Sequence, residues 1–149
     1  MTAWSQFAAA APDLAAFGKQ RLEKRIAYLA TIRPDGSPRV HPISPFIAEG
    51  RLFVYMEPTS PKGRDLRRDS RYSMHCAVED NSGGGGEFLI KGRAEEISDA
   101  ESREMAFRQA KAIGYDPKER YALFELSIEE AMGTTYPEEQ PKRIKWKSV

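Results

Sequence analysis

Short runs of apolar residues, separated by turn residues, predict a β-rich protein. Residues 26–32 carry apolar side chains on both alternating faces, so we expect both faces of this first strand to be buried. A Pro-Asp-Gly turn at 34–36 leads into a second strand at 38–45, which contains three prolines. Because proline has no N–H to donate, the second strand is expected at a sheet edge, at a bulge or at a rim that faces a ligand.

The same reasoning predicts the remaining elements. Further strands are expected at 52–56, 71–80, 87–98 and 121–136, the third of them bent at Gly92. Helices are expected at 13–24, 61–70 and 99–113. Asp13 and Asp99 are candidate N-caps. Four consecutive glycines at 83–86 predict a flexible loop with no packing of its own.

Strands in hairpin order, with helices only at the start and between later strands, predict a closed antiparallel barrel with peripheral helices. Neither a repeat nor a change in composition divides the chain, so one domain is expected over residues 1–149. Within it we expect an N-terminal helix at 13–24, a barrel at 25–133 and a C-terminal tail at 134–149.

The composition is that of a soluble globular protein, with 40% hydrophobic and 30% charged residues. A net charge of +1 argues against a general nucleic-acid binder, and no apolar run approaches the roughly 18–20 residues of a membrane span. The single cysteine, Cys76, excludes an intramolecular disulfide and indicates a reducing, cytoplasmic location. Two histidines and one cysteine are too few for a dedicated zinc site, so no metal is expected.

Helix 61–70 begins with a Ser60–Pro61 start signal and places two cations, Lys62 and Arg64, in its first turn. The positive end of the helix dipole disfavours cations at this position, which makes sense if an anion binds there. Free N–H groups, a hydroxyl and an ammonium would converge on that anion, and phosphate is the first candidate. The alternative is a solvated helix in which Ser60 is only a cap and Lys62 only a surface residue.

Other residues that could carry chemistry each have a structural alternative. His41 and His75 could be acid–base groups or axial heme ligands, although a strand histidine more often only satisfies local hydrogen bonds. Tyr55 and Met56 belong to the core or border a ring attached to the phosphate, while Trp146 anchors the C terminus or covers that ring. Four arginines are interpreted as a solvated face balanced by acidic neighbours rather than as a nucleic-acid patch: Arg64, Arg67, Arg68 and Arg71.

Three segments together resemble a known family. They are RIAYLATIRPDGSPRVHPISPF at 25–46, RLFVYMEPTSPKGRDLRRDSRYSMHCAV at 51–78 and EFLIKGRAEEI at 87–97. Over about 24–133 the chain resembles the pyridoxamine 5′-phosphate oxidase-like FMN-binding split β-barrel family, which includes flavin- and deazaflavin-dependent oxidoreductases. The resemblance implies a mainly β fold with peripheral helices, a split antiparallel β-barrel, assembled as a homodimer.

The resemblance also implies how residues would contact a flavin. The first flavin-contacting strand of the family falls on residues 39–44, where Arg39 would reach the phosphate. The backbone of Val40, His41 and Pro42 would lie along the ring.

The remaining implied contacts come from later segments. Tyr55 and Met56 would lie at the ring edge. The phosphate motif Ser-Arg-Lys of the family reads Ser60-Pro61-Lys62 here, so Ser60 and Lys62 are retained and one cation is lost. A glutamine expected at the ring is replaced by Glu87.

The implied function is that of an FMN-binding oxidoreductase with its cofactor at a homodimer interface and a small molecule as substrate. A deazaflavin coenzyme F-420-dependent reductase of the same fold is the alternative. A heme- or tetrapyrrole-binding carrier with little turnover, using His41 or His75 as ligand, is an alternative from another class. The C-terminal Trp-Gln-Gly and Arg-x-His-x-Arg signature of pyridoxamine phosphate oxidases is absent, so vitamin B6 oxidation is not expected. The cofactor would supply the redox chemistry, and no catalytic side chain is assigned.

Overall fold

A computed structural model describes the whole chain, residues 1–149. The four α-helices are α1 Trp4–Ala10, α2 Pro12–Leu22, α3 Pro61–Arg68 and α4 Ala100–Ala112. The first five strands are β1 Ala27–Ile32, β2 Pro38–Ile43, β3 Phe46–Ala48, β4 Arg51–Met56 and β5 Arg71–Cys76. The last four are β6 Glu87–Ile97, β7 Ala122–Leu126, β8 Glu130–Thr135 and β9 Lys142–Lys147. None of the helices has the length and apolar character needed to cross a membrane.

The strands form one curled antiparallel sheet in the order β2-β1-β5-β6-β7-β4-β3, with β8 attached to β6 and β9 attached to β8. Strand β6 joins the two halves because its first part pairs with β8 and its last part pairs with β7. The change of partner occurs around Gly92, where a Cβ atom would lie 2.0 Å from the carbonyl oxygen of Ser127. The predicted mainly β fold, a split antiparallel barrel with peripheral helices, is confirmed.

Two apolar clusters fill the fold, and β4 contributes to both. The first lies inside the barrel under α1 and α2, and the second lies between β3, β4 and α4. Alternate residues of β4 face opposite sides, so Val54 and Met56 enter the first cluster while Phe53 and Tyr55 enter the second. This strand is therefore buried on both faces, and it holds the start of α3 in place.

Helix starts follow the sequence signals in two of three cases. Ser60 caps α3 through its Oγ, which accepts a hydrogen bond from the N–H of Gly63, and Asp99 caps α4 in the same way through Ser102. Helix α2 instead starts at Pro12, with Ala11 as N-cap, and Asp13 lies in the first turn. Proline is favoured at the first helical position, where its missing N–H costs nothing.

The C-terminal part of the chain differs from expectation. The single strand predicted at 121–136 is two strands, because the segment after Leu126 passes over Gly92 and then pairs with the other end of β6. The segment 134–149, expected to be a tail, contains β9, which pairs with β8. Strand β9 is the second arm of a hairpin with β8, across residues 136–141, but its charge-rich sequence gives no strong strand signal.

The glycine loop at 83–86 is packed, which corrects the expectation of a flexible loop without packing. A Cβ atom would lie 2.4 Å from Tyr136 at Gly83, 2.6 Å from Asp80 at Gly84, 2.3 Å from Arg21 at Gly85 and 2.6 Å from Phe17 at Gly86. Arg21 is buried under this loop and donates a hydrogen bond to the carbonyl oxygen of Ala77. The glycines therefore allow close approach of side chains from elsewhere in the fold.

The outward face of β1 is exposed, which corrects the expectation that both of its faces are buried. Ala27, Leu29 and Thr31 point into the barrel and are buried. Tyr28 points outward and keeps 45% of its surface exposed. The apolar residues on both faces of β1 predicted that both faces are covered, but no other element of the chain packs on its outward face.

Candidate functional site

The turn between β4 and α3 builds the first part of the site. Strand β4 ends at Met56, and the N–H of Gly63 donates a 3.2 Å hydrogen bond to Ser60 Oγ. A Cβ atom on Gly63 would lie 3.1 Å from Ser60 Oγ and 3.3 Å from Met56 Sδ. Glycine at this position lets the methionine side chain pack directly under the first turn of the helix, which brings Met56 and Ser60 together.

Lys62 is the second residue of α3 and is half-buried. Burial lowers the pKa of its ammonium group, and no carboxylate or hydrogen bond opposes this effect. The backbone N–H of Lys62 also makes no hydrogen bond within the chain. A partly desolvated cation without a counter-ion, beside a free N–H and the positive end of a helix, is an arrangement that favours an anion.

The later arginines of this region are paired, in contrast to Lys62. Arg67 makes a bidentate contact of 2.7 and 2.9 Å with Glu96, and Arg71 binds Asp69 at 2.7 Å. Arg68 bonds to Asp65 and to the carbonyl oxygen of Ile32. This agrees with the interpretation of a charge-balanced face, except that Glu96 of β6 replaces an acidic neighbour in sequence. Only Arg64, in the first turn with Lys62, is exposed without an ion pair.

Arg39 of β2 reaches α3 through a buried carboxylate. Its Nε donates a 2.7 Å hydrogen bond to Asp65 Oδ2, and the Thr31 hydroxyl of β1 donates a second one of 2.7 Å to the same oxygen. Burial works to raise the pKa of Asp65, but the bonds from Arg39 and Thr31 hold it below its ordinary value. Because Lys62 and Asp65 are three residues apart on one helix, the Arg39 guanidinium lies close to the turn that carries Lys62.

The other predicted residues of β2 lie at the open edge of the sheet. Val40 is 65% exposed, and His41 and Pro42 are also exposed. Val40 and Pro42 pair with Ala30 and Tyr28 on the outward face. His41 Nδ1 lies 2.8 Å from the carbonyl oxygen of Pro42, and its Nε2 has no partner in the chain.

Tyr55 and Met56 point to opposite sides of β4, so one ring edge cannot contact both side chains from the same side. Met56 belongs to the barrel core near Ser60. Tyr55 is stacked on Phe46 at 5.5 Å and on Tyr115 at 6.0 Å in the second cluster.

Trp146 lies on β9 and packs against Phe7 of α1, with ring centroids 5.0 Å apart. Its indole is half-buried at the edge of the barrel core. This is the anchoring position foreseen as one of its two roles, and within one chain it lies with α1 rather than with α3.

A cluster on the outward face was not foreseen as a unit. His75 Nδ1 lies 2.6 Å from the carbonyl oxygen of Cys76, while its Nε2 lies 3.7 Å from Glu87 Oε1. Hydrogen bonding to Cys76, aided by the charge of Glu87, raises the pKa of His75 to about 9. The Tyr136 hydroxyl donates a hydrogen bond to the other oxygen of Glu87. Alternation along β5 and β6 could have placed His75 and Glu87 on one face, but the pairing register is needed to bring them together.

The sequence profile of the pyridoxamine 5′-phosphate oxidase family matches residues 14–134. The chain belongs to this family. The pyridoxamine 5′-phosphate oxidase profile thus covers most of α2, strands β1 to β7, most of β8 and every predicted site residue except Trp146. A search of curated proteins found no match.

Solved structures share the fold of this pyridoxamine 5′-phosphate oxidase family member at low identity. PhzG from Burkholderia lata 383, in complex with tetrahydrophenazine-1-carboxylic acid, has a TM-score of 0.66 and 17% identity over 98% of this chain and 88% of its own. A heme binding protein from Mycobacterium smegmatis has a TM-score of 0.66 and 16% identity over 89% of this chain and 57% of its own. A putative pyridoxamine 5′-phosphate oxidase from Listeria innocua has a TM-score of 0.65 and 13% identity, over 80% of this chain and 94% of its own.

Proposed function

We propose that the protein is a homodimeric oxidoreductase that binds FMN, with the FMN phosphate on the first turn of α3. The observation that supports this most strongly is the half-buried Lys62, whose ammonium has no carboxylate partner. Arg67, Arg68 and Arg71 each find a carboxylate, whereas the exposed Arg64 remains in solvent without one. Lys62 is therefore the partly desolvated cation of this region that lacks a counter-ion.

The donors of this region fit a phosphate monoester. Lys62 offers an ammonium and a free backbone N–H, and the Ser60 hydroxyl keeps its own proton to donate. Arg39 uses Nε to bind Asp65, and its two terminal amino groups bind nothing else in the chain. A phosphate dianion accepts several such charge-assisted bonds, each worth about 1.5–3 kcal/mol.

Strand β2 supplies the surface for the ring. It is an edge strand of the sheet, and Val40, His41 and Pro42 are exposed along it. Such an edge leaves backbone groups free to contact a planar ligand. Bound FMN supplies the redox chemistry, while the chain holds the phosphate, orients the ring and restricts water.

A second copy of the chain would cover the outward face of the sheet. The strand pairings place one row of residues across six strands: Pro42, Tyr28, His75, Leu89, Met132 and Lys145. Most of this row is apolar, and at about 4.8 Å per strand it is about 24 Å long. Because Pro42 and Val40 of β2 share this face, a two-fold contact here would also enclose a ring that lies along β2.

The deazaflavin coenzyme F-420 is the alternative within the same class, because its phosphate could use the same donors. A heme-carrying function is supported by the likeness to the mycobacterial heme binding protein and by His41. His41 is exposed and its Nε2 is free, whereas both nitrogens of His75 face oxygen atoms. His75 is therefore held in its protonated form, which cannot bind iron, and His41 is the ligand in this alternative.

The visible spectrum of the purified protein after incubation with each cofactor tests the proposal. We expect stoichiometric binding of FMN, with the two absorption bands of a flavin retained after gel filtration and bleached on addition of a reduced nicotinamide. The carrier function would replace the proposal if the protein retains heme and does not retain FMN. In that case we expect an intense Soret band that His41→Ala alters and His75→Ala leaves unchanged.

A further inference from the structure

Asp65 is the most deeply buried carboxylate of the molecule, and the proposed phosphate site does not use it. Its surface is 1% exposed, yet it lies on the same face of α3 as Lys62, one turn further along. A buried negative charge close to a bound phosphate is unfavourable in itself. Its presence at this position therefore calls for a compensating function.

The contacts of Asp65 connect three elements. Oδ2 accepts 2.7 Å bonds from Arg39 Nε of β2 and from Thr31 Oγ1 of β1, and Oδ1 faces Arg68 at 3.4 Å. Strand β2 is an edge strand whose six residues pair with β1 alone, so the sheet defines its position from one side only. The carboxylate supplies the only side-chain bond that Arg39 makes.

The way in which Arg39 is bound is informative. A guanidinium that serves only an ion pair commonly presents two nitrogens to a carboxylate, as Arg67 does with Glu96. Arg39 presents only Nε, which leaves the other two nitrogens in a fixed plane and without partners. The contact thus fixes the orientation of the side chain without using its terminal donors.

We propose that Asp65 is a positioning residue that aims the free amino groups of Arg39 at a phosphate bound on the first turn of α3. Thr31 holds the carboxylate, the carboxylate holds Arg39, and Arg39 contacts the phosphate. This positioning role rests on the proposed function. It also narrows the ligand class to molecules with a terminal phosphate monoester, which accepts the paired donors of an arginine.

The substitution Asp65→Asn separates positioning from electrostatics by the sign of its effect. Asparagine has nearly the same shape but no charge, so a purely electrostatic role predicts tighter FMN binding once the negative charge is removed. Positioning predicts the opposite, a loss of about tenfold or more in FMN affinity. Riboflavin has no phosphate, so its affinity should change less than about twofold if only the phosphate contact is lost.

A double-mutant cycle shows whether Asp65 acts through Arg39. Calorimetric titrations of the full-length protein with FMN and with riboflavin are compared for wild type, Asp65→Asn, Arg39→Ala and the double variant. We expect Asp65→Asn to cause no further loss of FMN affinity once Arg39 is removed. Thr31→Val keeps the charge of Asp65 and removes one hydrogen bond to it, so it should lower FMN affinity by a smaller factor. Thr31→Ser should restore the affinity. This pair of variants replaces Asp65→Asn if that variant does not fold.

The outcomes separate this inference from the proposed function. If wild type binds FMN no better than riboflavin, the phosphate site itself is wrong. If wild type prefers FMN and Lys62→Ala removes that preference, but Asp65→Asn retains or increases it, the phosphate site stands and the positioning role of Asp65 is refuted. Equal losses for FMN and riboflavin in Asp65→Asn would also refute it, because they indicate a general structural role.

Discussion

Lys62 and Arg67 lie on the same helix, and only Arg67 is paired with a carboxylate, through its bidentate contact with Glu96. The two cations therefore have different environments although their sequence contexts look alike. The charge of Arg67 is balanced by Glu96 within the chain, while Lys62 is half-buried without a counter-ion. This difference makes them a matched pair for testing where an anion binds.

Lys62→Ala should lower the affinity for FMN by about tenfold to about a hundredfold, because one charge-assisted contact of about 1.5–3 kcal/mol is lost. The free energy of unfolding without ligand should stay the same or rise slightly, since a cation leaves the positive end of a helix. Arg67→Ala is the control and should leave FMN affinity unchanged. Calorimetry with both variants checks this, and the reverse ranking would place the anion on another turn of α3.

Tyr28→Asp should break the proposed dimer, because it places a charge on the apolar outward row of the sheet, beside Pro42 of β2. Light scattering of wild type at micromolar concentration should give about twice the chain mass of 16.8 kDa, and the variant should give a monomer. Ile144→Asp is the control, since Ile144 is 51% exposed, similar to Tyr28 at 45%, but pairs with the inward-facing Gly133. A monomeric wild type that binds FMN would exclude the interface.

His75 should make stability depend on pH on the alkaline side. Its pKa is raised from 6.5 to about 9 in the folded chain, so its contribution is complete below pH 6.5 and is lost as the pH rises through about 9. The contribution should be about 1 kcal/mol or less, because the side chain is partly exposed and solvent screens the pair. Urea unfolding at pH 6 and pH 9.5 should show this decrease in wild type and a smaller one in His75→Gln. An imidazole titration midpoint below 7 by NMR would contradict this account.

Gly85→Ala should destabilise the fold more than Gly36→Ala. Both glycines have positive φ, at +79° and +86°, so alanine costs about 1 kcal/mol of backbone strain at either position. Only at Gly85 would the new methyl group also lie 2.3 Å from buried Arg21, whereas nothing lies within 4 Å at Gly36. Thermal unfolding of the two variants measures the difference, and equal losses would mean that the glycine loop moves freely away from Arg21.

Local signals account for what could be predicted from the sequence. The cap at Ser60, the hairpin turn at 34–36 and the prolines of edge strand β2 each act within a few residues, and each is found as predicted. Features that depend on distant partners were missed. Glycines 83–86 look unstructured in sequence because the side chains that fill the space at Gly83, Gly85 and Gly86 come from Tyr136 and from α2.

The candidate site shows the same division. The first turn of α3 could be identified from Ser60 and Lys62 alone, because capping and the helix dipole are local effects. The carboxylate that holds Arg39 could not, since Asp65 looked like the local counter-ion of neighbouring arginines and its main partners come from β1 and β2. Likewise, the apolar pattern of β1 predicted that Tyr28 is buried, although it is 45% exposed within one chain. An apolar pattern does not reveal which surface covers it.

The most direct test of the central claim is to compare the affinities of the wild-type protein for FMN and for riboflavin in one calorimetric experiment. The two ligands share the ring and differ in the phosphate, so their ratio isolates the contribution of the proposed site on α3. We predict that FMN binds at least about tenfold more tightly than riboflavin, and that the preference falls with added phosphate in the buffer. Equal affinities for FMN and riboflavin would contradict the account.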